Sequence, residues 1–300
     1  MIKKITKLMA LILGLVILTG AVLVYNNNRQ LPPPSAAELN AALDKSIHWL
    51  LANRSQILSQ KNSILIWMLS EGGHRTGDQR LQKLAAEYVQ AMPVFSPWQF
   101  FFNSNSLAPL KPEHLGELPD YNLLFLYGLS CDQTLGELDI VRRQQEENFC
   151  RDNHPFGPAC LTHQLMGLRF MQRRGCGPQA ENVALIATIQ DKIERQLTWD
   201  PRVVDVYIQR VLMLVESGAP ERVKPVWLRN VLKAQLPDGG WGGFQPLIPV
   251  SASRYLGFSQ KLIGLGRPTS NLHATAQGVL LLSLLTEKKA RSAMDSQAAN

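Results

Sequence analysis

The sequence predicts an all-α fold, and three observations carry that reading. Helical periodicity runs through almost the whole chain beyond residue 35 with almost no strand signal, the helices are of two kinds, and the kinds alternate. One kind is amphipathic. Ala41–Ser55 sets Leu43, Ile47, Leu50 and Leu51 against Asp44, Lys45 and Arg54, and Leu81–Ala91, Thr134–Phe149, Gln179–Leu197 and Glu221–Gln235 read likewise. The other kind is apolar nearly all round: Ile64–Leu69, Leu123–Leu129, Leu161–Met171, Val203–Val215 and Leu272–Leu285. A helix that is hydrophobic on every side must be buried on every side. Outer amphipathic helices alternating with inner buried ones in up-down order describe an α/α toroid, a ring of helical hairpins. A solenoid of helical repeats would give similar hairpins, but no fixed period recurs, and long inserts interrupt at Met92–Pro119 and Leu236–Thr269.

Ahead of this body lies the apolar run Leu8–Val24, broken by Gly14, Thr19 and Gly20. As a helix it spans ~25 Å, just enough for the hydrocarbon core of a bilayer. Lys3, Lys4 and Lys7 precede it and fix the N-terminus in the cytoplasm by the positive-inside rule. A cleavable signal peptide is the competing reading. Thr19-Gly20-Ala21 offers a small-residue site, but inside the apolar run rather than after it, which favours an uncleaved signal-anchor. Domain organisation follows: an inner-membrane anchor at residues 1–25 whose span is residues 8–24, a Pro-rich tether at 26–38 containing Pro32–Pro34, the toroid at 39–288, and a polar tail at 289–300. The body is then expected in the periplasm. The chain holds 31 Lys+Arg against 24 Asp+Glu, a net +7, but the first 30 residues carry Lys3, Lys4, Lys7 and Arg29 with no acid, leaving +3 for the other 270. So small a surplus gives no reason to expect nucleic acid as a partner.

One stretch resembles a known family. Trp227-Leu228 followed by Gln235-Leu236-Pro237-Asp238-Gly239-Gly240-Trp241-Gly242 is similar to the glutamine–tryptophan repeat of triterpene cyclases and related α/α toroids, with a weaker echo at Ile47-His48-Trp49-Leu50. The resemblance implies that the Gln and Trp tie an outer helix to the loop leading into the next inner helix, here beginning near Asn271 with His273-Ala274-Thr275-Ala276-Gln277. It stops at the fold. Those cyclases act through adjacent aspartates, and this chain has no Asp-Asp pair; protein prenyltransferases use an Asp, Cys and His zinc site, and no Asp-x-Cys stands here. No phosphate-binding glycine loop is present either, since Gly239–Gly243 lacks a following Lys-Ser/Thr. No cofactor and no metal are expected.

The four cysteines are read through topology. If the segments between them are helical, Cys131 and Cys150 lie about 24 Å apart, as do Cys160 and Cys176. A disulfide needs Cα atoms within about 7 Å. In an up-down ring Cys150 and Cys160 share one end, and Cys131 and Cys176 the other, so 150–160 with 131–176 is the expected pairing of the three available. The rival is zinc held by Cys150, His154, Cys160 and His163, a spacing that matches no common module; outside the cytoplasm, disulfides are favoured.

For acid–base chemistry the candidates are polar residues at the starts of buried helices: His154 and His163, His273, Asp120 and Asp205. Helix capping or a satisfied buried group is the bland alternative for each, and His74, on a turn, reads as solvated. Two functions are expected. The first is a membrane-anchored envelope protein whose toroid binds a ligand, whether glycan, lipid or envelope protein. The second is a carbohydrate-active enzyme, with Asp120 and Asp205 as a hydrolase pair, or His163, Tyr207 and Arg210 as a lyase set. The Leu236–Thr269 insert holds seven of the chain's 21 glycines. It also carries Phe244 and the expected ligand contacts Trp241, Tyr255 and Phe258, and reads as an ordered flap over the His273 end.

Overall fold

In the computed structural model of the chain, the five apolar runs become five buried helices, and most of the amphipathic runs lie outside them. Residues 2–298 are described apart from 94–95, 104–114, 116–117, 151–158 and 261–262; the side chains of 2–5, 8 and 288–298 are also left aside. In chain order the helices are α1 (Ile2–Asn28), α2 (Ala36–Ala52), α3 (Arg54–Leu58), α4 (Ser63–Thr76), α5 (Gln79–Ala91), α6 (Asp120–Ser130), α7 (Gln133–Glu137), α8 (Asp139–Arg143), α9 (Cys160–Arg174), α10 (Gln179–Trp199), α11 (Asp205–Glu216), α12 (Pro225–Lys233) and α13 (Leu272–Ala298). A 3-10 turn at Pro97–Phe101 and another at Pro220–Arg222 join them.

Helices α4, α6, α9, α11 and α13 form the interior. Helix α6 packs on α9, α9 on α11, α11 on α13 and α13 on α4. Aromatic rings join α4 back to α6 and α9. Trp67 meets Phe170 edge-on at 5.0 Å, Phe170 meets Phe125 at 5.7 Å, and the 3-10 turn seats Phe101 against both Trp67 and Phe170. Outside, α2 covers α13, α5 covers α4, and α10 covers α9 and α11. Glycine sets the closest crossing. A Cβ on Gly128 of α6 would lie 2.9 Å from the Gly167 carbonyl of α9, so the two backbones touch where no side chain fits.

The inner helices run in one direction. A disulfide joins Cys131, at the end of α6, to Cys176, just beyond α9, with Cα atoms 5.2 Å apart, while the rings of Tyr121 and His163 meet at 4.4 Å, tilted by 38°, near the starts of the same two helices. Arg75 at the end of α4 bonds Glu287 of α13, and Arg173 at the end of α9 pairs with Glu216 at the end of α11. Arg173 also reaches Glu71 of α4 at 3.8 Å, so the C-terminal ends of α4, α6, α9 and α11 and the Glu287 turn of α13 lie on one side. The second disulfide, Cys150–Cys160, closes the start of α9, with Cα atoms 5.6 Å apart. These are the two bridges that the up-down order allows, and they take Cys150 and Cys160 out of the rival zinc set.

Three features differ from the sequence reading. The expected outer helix Thr134–Phe149 is broken into α7 and α8, because Leu138 adopts extended backbone (φ −63°, ψ 131°) between them. Strands exist after all: β1 (Phe244–Ser251), β2 (Arg254–Ser259) and β3 (Ile263–Gly266) form an antiparallel sheet in that order, inside the Leu236–Thr269 insert. Residues 26–38 are not a free tether, since their first residues are bonded into the body. Asn27 Nδ2 donates to the Leu197 carbonyl (2.6 Å), Asn28 Nδ2 to the Thr198 carbonyl (2.8 Å), and Trp227 Nε1 to the Asn27 carbonyl (2.9 Å). The last turn of α10 has carbonyls with no helical partner, and the two asparagine amides satisfy them.

Helix α1 contains a 20-residue stretch, Met9–Asn28, of mean hydropathy 2.2. It is long and apolar enough to cross a bilayer, as a single-pass anchor or a signal segment would be. Helix α13 continues through the polar segment after residue 288 as far as Ala298.

Candidate functional site

The N-terminal ends of four inner helices bring polar or aromatic groups to the same side of the body. Helix α6 begins with Asp120 and Tyr121, α9 presents His163 in its first turn, α11 opens on Asp205, and α13 carries His273 as its second residue. Among the described residues the N-cap positions of α6, α9 and α11 make no side-chain cap bond, but in α11 Asp205 Oδ1 accepts from the Val206 amide at 2.8 Å; α13 is capped by Asn271, whose Oδ1 accepts from the Ala274 amide at 2.9 Å. The partial positive charge of these parallel helix ends therefore faces one small region.

Two candidates named from the sequence form a pair there. His273 Nδ1 stands 3.4 Å from Asp205 Oδ2, with the imidazole 40% and the carboxylate 17% exposed. Gln277, one turn into α13 and fully buried, places its Nε2 3.4 Å from His273 Nε2. With the amide donating, Nε2 is the acceptor and the ring proton sits on Nδ1, facing the carboxylate. Among the described residues the buried Gln277 Oε1 accepts no hydrogen bond. Gly243 lies beside Asp205, and a Cβ on it would come within 3.9 Å of the carboxylate.

His163 belongs to the same neighbourhood but is differently held. Its Nδ1 lies 2.6 Å from the Ala159 carbonyl, and its ring packs tilted against Tyr121 and nearly parallel to Phe125. Burial pushes its pKa below the ordinary 6.5. The charge of His273 acts in the same direction, against the Ala159 carbonyl. Burial therefore favours the neutral form of His163. Such an arrangement can orient a polar group, bind an anionic oxygen through His273, or relay a proton from His273 to a bound molecule.

The other candidates divide. Asp120 is exposed at the start of α6, and its backbone carbonyl accepts from Gln144 Nε2 at 2.8 Å. His154 lies outside the described residues. Trp241 is not a ligand contact. It is fully buried, and its Nε1 donates to the Val231 carbonyl of α12 (2.8 Å) while its ring lies against Gly278 of α13. Gln235 Nε2 donates to the Ala42 carbonyl of α2 (2.7 Å), so the Gln and Trp of the motif both act as ties between elements. Tyr255 and Phe258 sit half-buried on β2.

The lyase set is not assembled. Tyr207 and Arg210 are fully buried. Tyr207 Oη donates to Asn27 Oδ1 (2.8 Å), and Arg210 Nη1 donates to Asp200 Oδ2 (2.8 Å). They hold the base of α1 and the α10–α11 corner. Sequence reading missed this network because Asn26–Asn28 looked like linker. It missed Gln277 as well, although its spacing of four from His273 puts both on one helix face.

The insert forms a cleft against α12. A space of ≈ 380 Å³ is lined by Val203, Asn230, Lys233, Ala234, Leu236 and the first residues of β1, Gln245, Pro246 and Leu247. A second, of ≈ 250 Å³, lies at the start of α4 between Gln60, Ser63, Tyr88, Met92 and Trp98. Among the described residues no group of three or more His, Cys, Asp or Glu side chains is placed to hold a metal. Compared with known proteins, the chain matches no family model, and neither curated proteins nor solved structures give a significant match.

Proposed function

We propose that the chain is a membrane-anchored envelope protein, held by α1 in the inner membrane, whose helical body in the periplasm binds a glycan- or lipid-class ligand at the Asp205–His273 end. The observation that carries the reading is placement: the pair lies at the end of the body where α1 is docked. Asn27, at the end of α1, is bonded to Tyr207 in the first turn of α11, the helix that Asp205 opens. A ligand arriving from the membrane surface meets that end first. Two disulfides support an oxidising compartment. The unbroken run of α1 to Asn28, with its last turn bonded to the body, supports retention of the segment rather than its removal. Five inner helices with outer partners support the α/α toroid plan, and the ties made by Gln235 and Trp241 are those the glutamine–tryptophan resemblance implies.

Location is tested by alkaline phosphatase fused after Leu31, which is expected to be active, with a mature N-terminus that still contains residues 1–24. An inactive fusion overturns the orientation, and a mature chain starting near Val22 overturns the anchor. Binding is tested by native mass spectrometry of the full chain taken from membranes in mild detergent. A bound adduct in the unaltered chain that is lost in His273→Ala supports the site; no adduct, or one retained in the variant, overturns it.

A further inference from the structure

The sheet exposes apolar side chains that the body does not cover. Leu247, Ile248 and Val250 on β1 and Ile263 and Leu265 on β3 are all exposed, Ile248 at 57% and Ile263 at 65%. Scattered exposed leucines need no explanation, but Ile248, Ile263 and Leu265 share one face of the sheet and together form a patch. Ile248 and Leu265 both pair with Leu256, and Ile263 lies two residues before Leu265. No Asp or Glu occurs between Gly239 and Thr286, whereas Arg254 opens β2 and Arg267 follows β3. The surface is thus apolar with a cationic margin, the composition that suits the headgroup region of a bilayer containing anionic lipid.

Position identifies which bilayer. Along α1 burial is confined, among the described side chains, to Leu23, Val24, Asn27 and Asn28, so the helix leaves the body from its last turn onward. That turn is held at the end of α10 and on α12, where Asn230 Nδ2 donates to Asn27 Oδ1 at 3.2 Å. Asn230 also lines the cleft whose other wall is Pro246 and Leu247 of β1. The sheet itself is clamped to the same corner: the Val203 amide donates to Gln245 Oε1 (2.7 Å) and Arg202 Nη1 to the Gln260 carbonyl (3.1 Å). At this corner Trp199, the last residue of α10, is 66% exposed, and interfacial tryptophan is characteristic of membrane margins.

We infer that the β1–β3 sheet and Trp199 rest in the outer leaflet of the membrane that α1 crosses, so that the body is held against the bilayer at two places and the Asp205–His273 end opens at the lipid surface. The inference rests on α1 being a retained span. The occupant of the patch is lipid, not a second copy of the chain.

Nitroxide labels on the full chain in vesicles of phosphatidylethanolamine and phosphatidylglycerol test this. All four native cysteines are bridged, so Val16→Cys, Ile248→Cys, Ile263→Cys and His74→Cys each supply a single thiol. Labels at 248 and 263 are expected to be several-fold more accessible to oxygen than to a nickel chelate, as at 16, while the label at 74, exposed at the far end of α4, shows the reverse. If 16 reads water, the anchor reading fails. If 16 reads lipid but 248 and 263 read water, the sheet inference alone fails. If 248 and 263 are shielded from both probes and show spin–spin broadening between copies, a second chain covers the patch and the inference is overturned.

Discussion

The two ends of the inner helices are opposites in how their polar groups are used. At the C-terminal end Glu71, Arg75, Arg169, Arg173, Glu216 and Glu287 form a closed network in which each charge faces another. Arg75 bonds both Glu71 (2.6 Å) and Glu287 (2.8 Å), and Glu216 receives Arg173 and Arg169. Basic side chains there also meet the negative ends of the helix dipoles. At the N-terminal end the charges are few, His273 is half-exposed, and the buried Gln277 keeps an unoccupied acceptor among the described residues. The C-terminal end has its charges paired, although Glu216 Oε1 and Oε2 and Arg169 Nε make no hydrogen bond among the described residues, and such pairing serves stability. An end with reactive groups left open is where function can be accommodated, because nothing at that end depends on their being filled.

Breaking the staples should hurt most, and unequally. Cys131–Cys176 closes a loop of 45 residues at the first end, and Cys150–Cys160 a loop of 10 at the second. By chain entropy the double serine variant of the first should lose about 4 kcal/mol and that of the second about 3 kcal/mol, read from urea midpoints of the full chain in detergent. Equal losses would show that loop length does not set the difference. Next comes Glu216→Ala, expected to cost about 3 kcal/mol, because it leaves Arg169 and Arg173 facing a buried site without their shared partner. A loss under about 1 kcal/mol would mean that the network is decorative.

The two ends should also respond to pH in opposite directions. Burial raises the Glu216 carboxyl above its ordinary 4.5, outweighing the attraction of Arg173 and Arg169. Its folded pKa exceeds its unfolded one, so its contribution is complete below pH 4.5 and is lost as pH rises through the folded value. Burial lowers His163 instead, so its contribution is complete above about pH 6.5 and is lost as pH falls through the folded value. Each slope is at most about 1.4 kcal/mol per pH unit. Urea midpoints of Glu216→Gln should flatten the change above pH 4.5, and those of His163→Gln the change below 6.5. If His163→Gln keeps the acid slope, another group causes it.

The sequence showed the inner helices because five apolar runs have no alternative to burial, and the bridges followed from which helix ends then coincide. The sheet escaped for physical reasons. Pro246 and Pro249 interrupt β1, and six of its eight residues, Pro246–Ser251, are exposed, so the alternation that betrays a strand is missing. Trp241 was misplaced because an aromatic in a glycine-rich loop looks available. Its burial depends on Gly278, 37 residues away, which leaves room for the ring. Of the candidate site, the residue types and their helix-start positions were legible. The pairing of Asp205 with His273 was not, since it depends on how α11 and α13 dock.

The smallest stability effect should come from the site itself, and that smallness is informative. His273 is 40% exposed, and exposed ion pairs contribute about 0–1 kcal/mol. Its other neighbour, Gln277 Nε2, is 3.4 Å away, too long for a strong bond. His273→Ala should therefore lower the urea-derived stability by less than about 1 kcal/mol, against about 3 kcal/mol for Glu216→Ala, while abolishing the bound adduct. Glu216→Ala, chosen at the opposite end, should retain the adduct wherever it remains folded. If His273→Ala destabilises as strongly as Glu216→Ala, the pair is a structural clasp between α11 and α13. The contrast between a sealed end and an open one would then be lost.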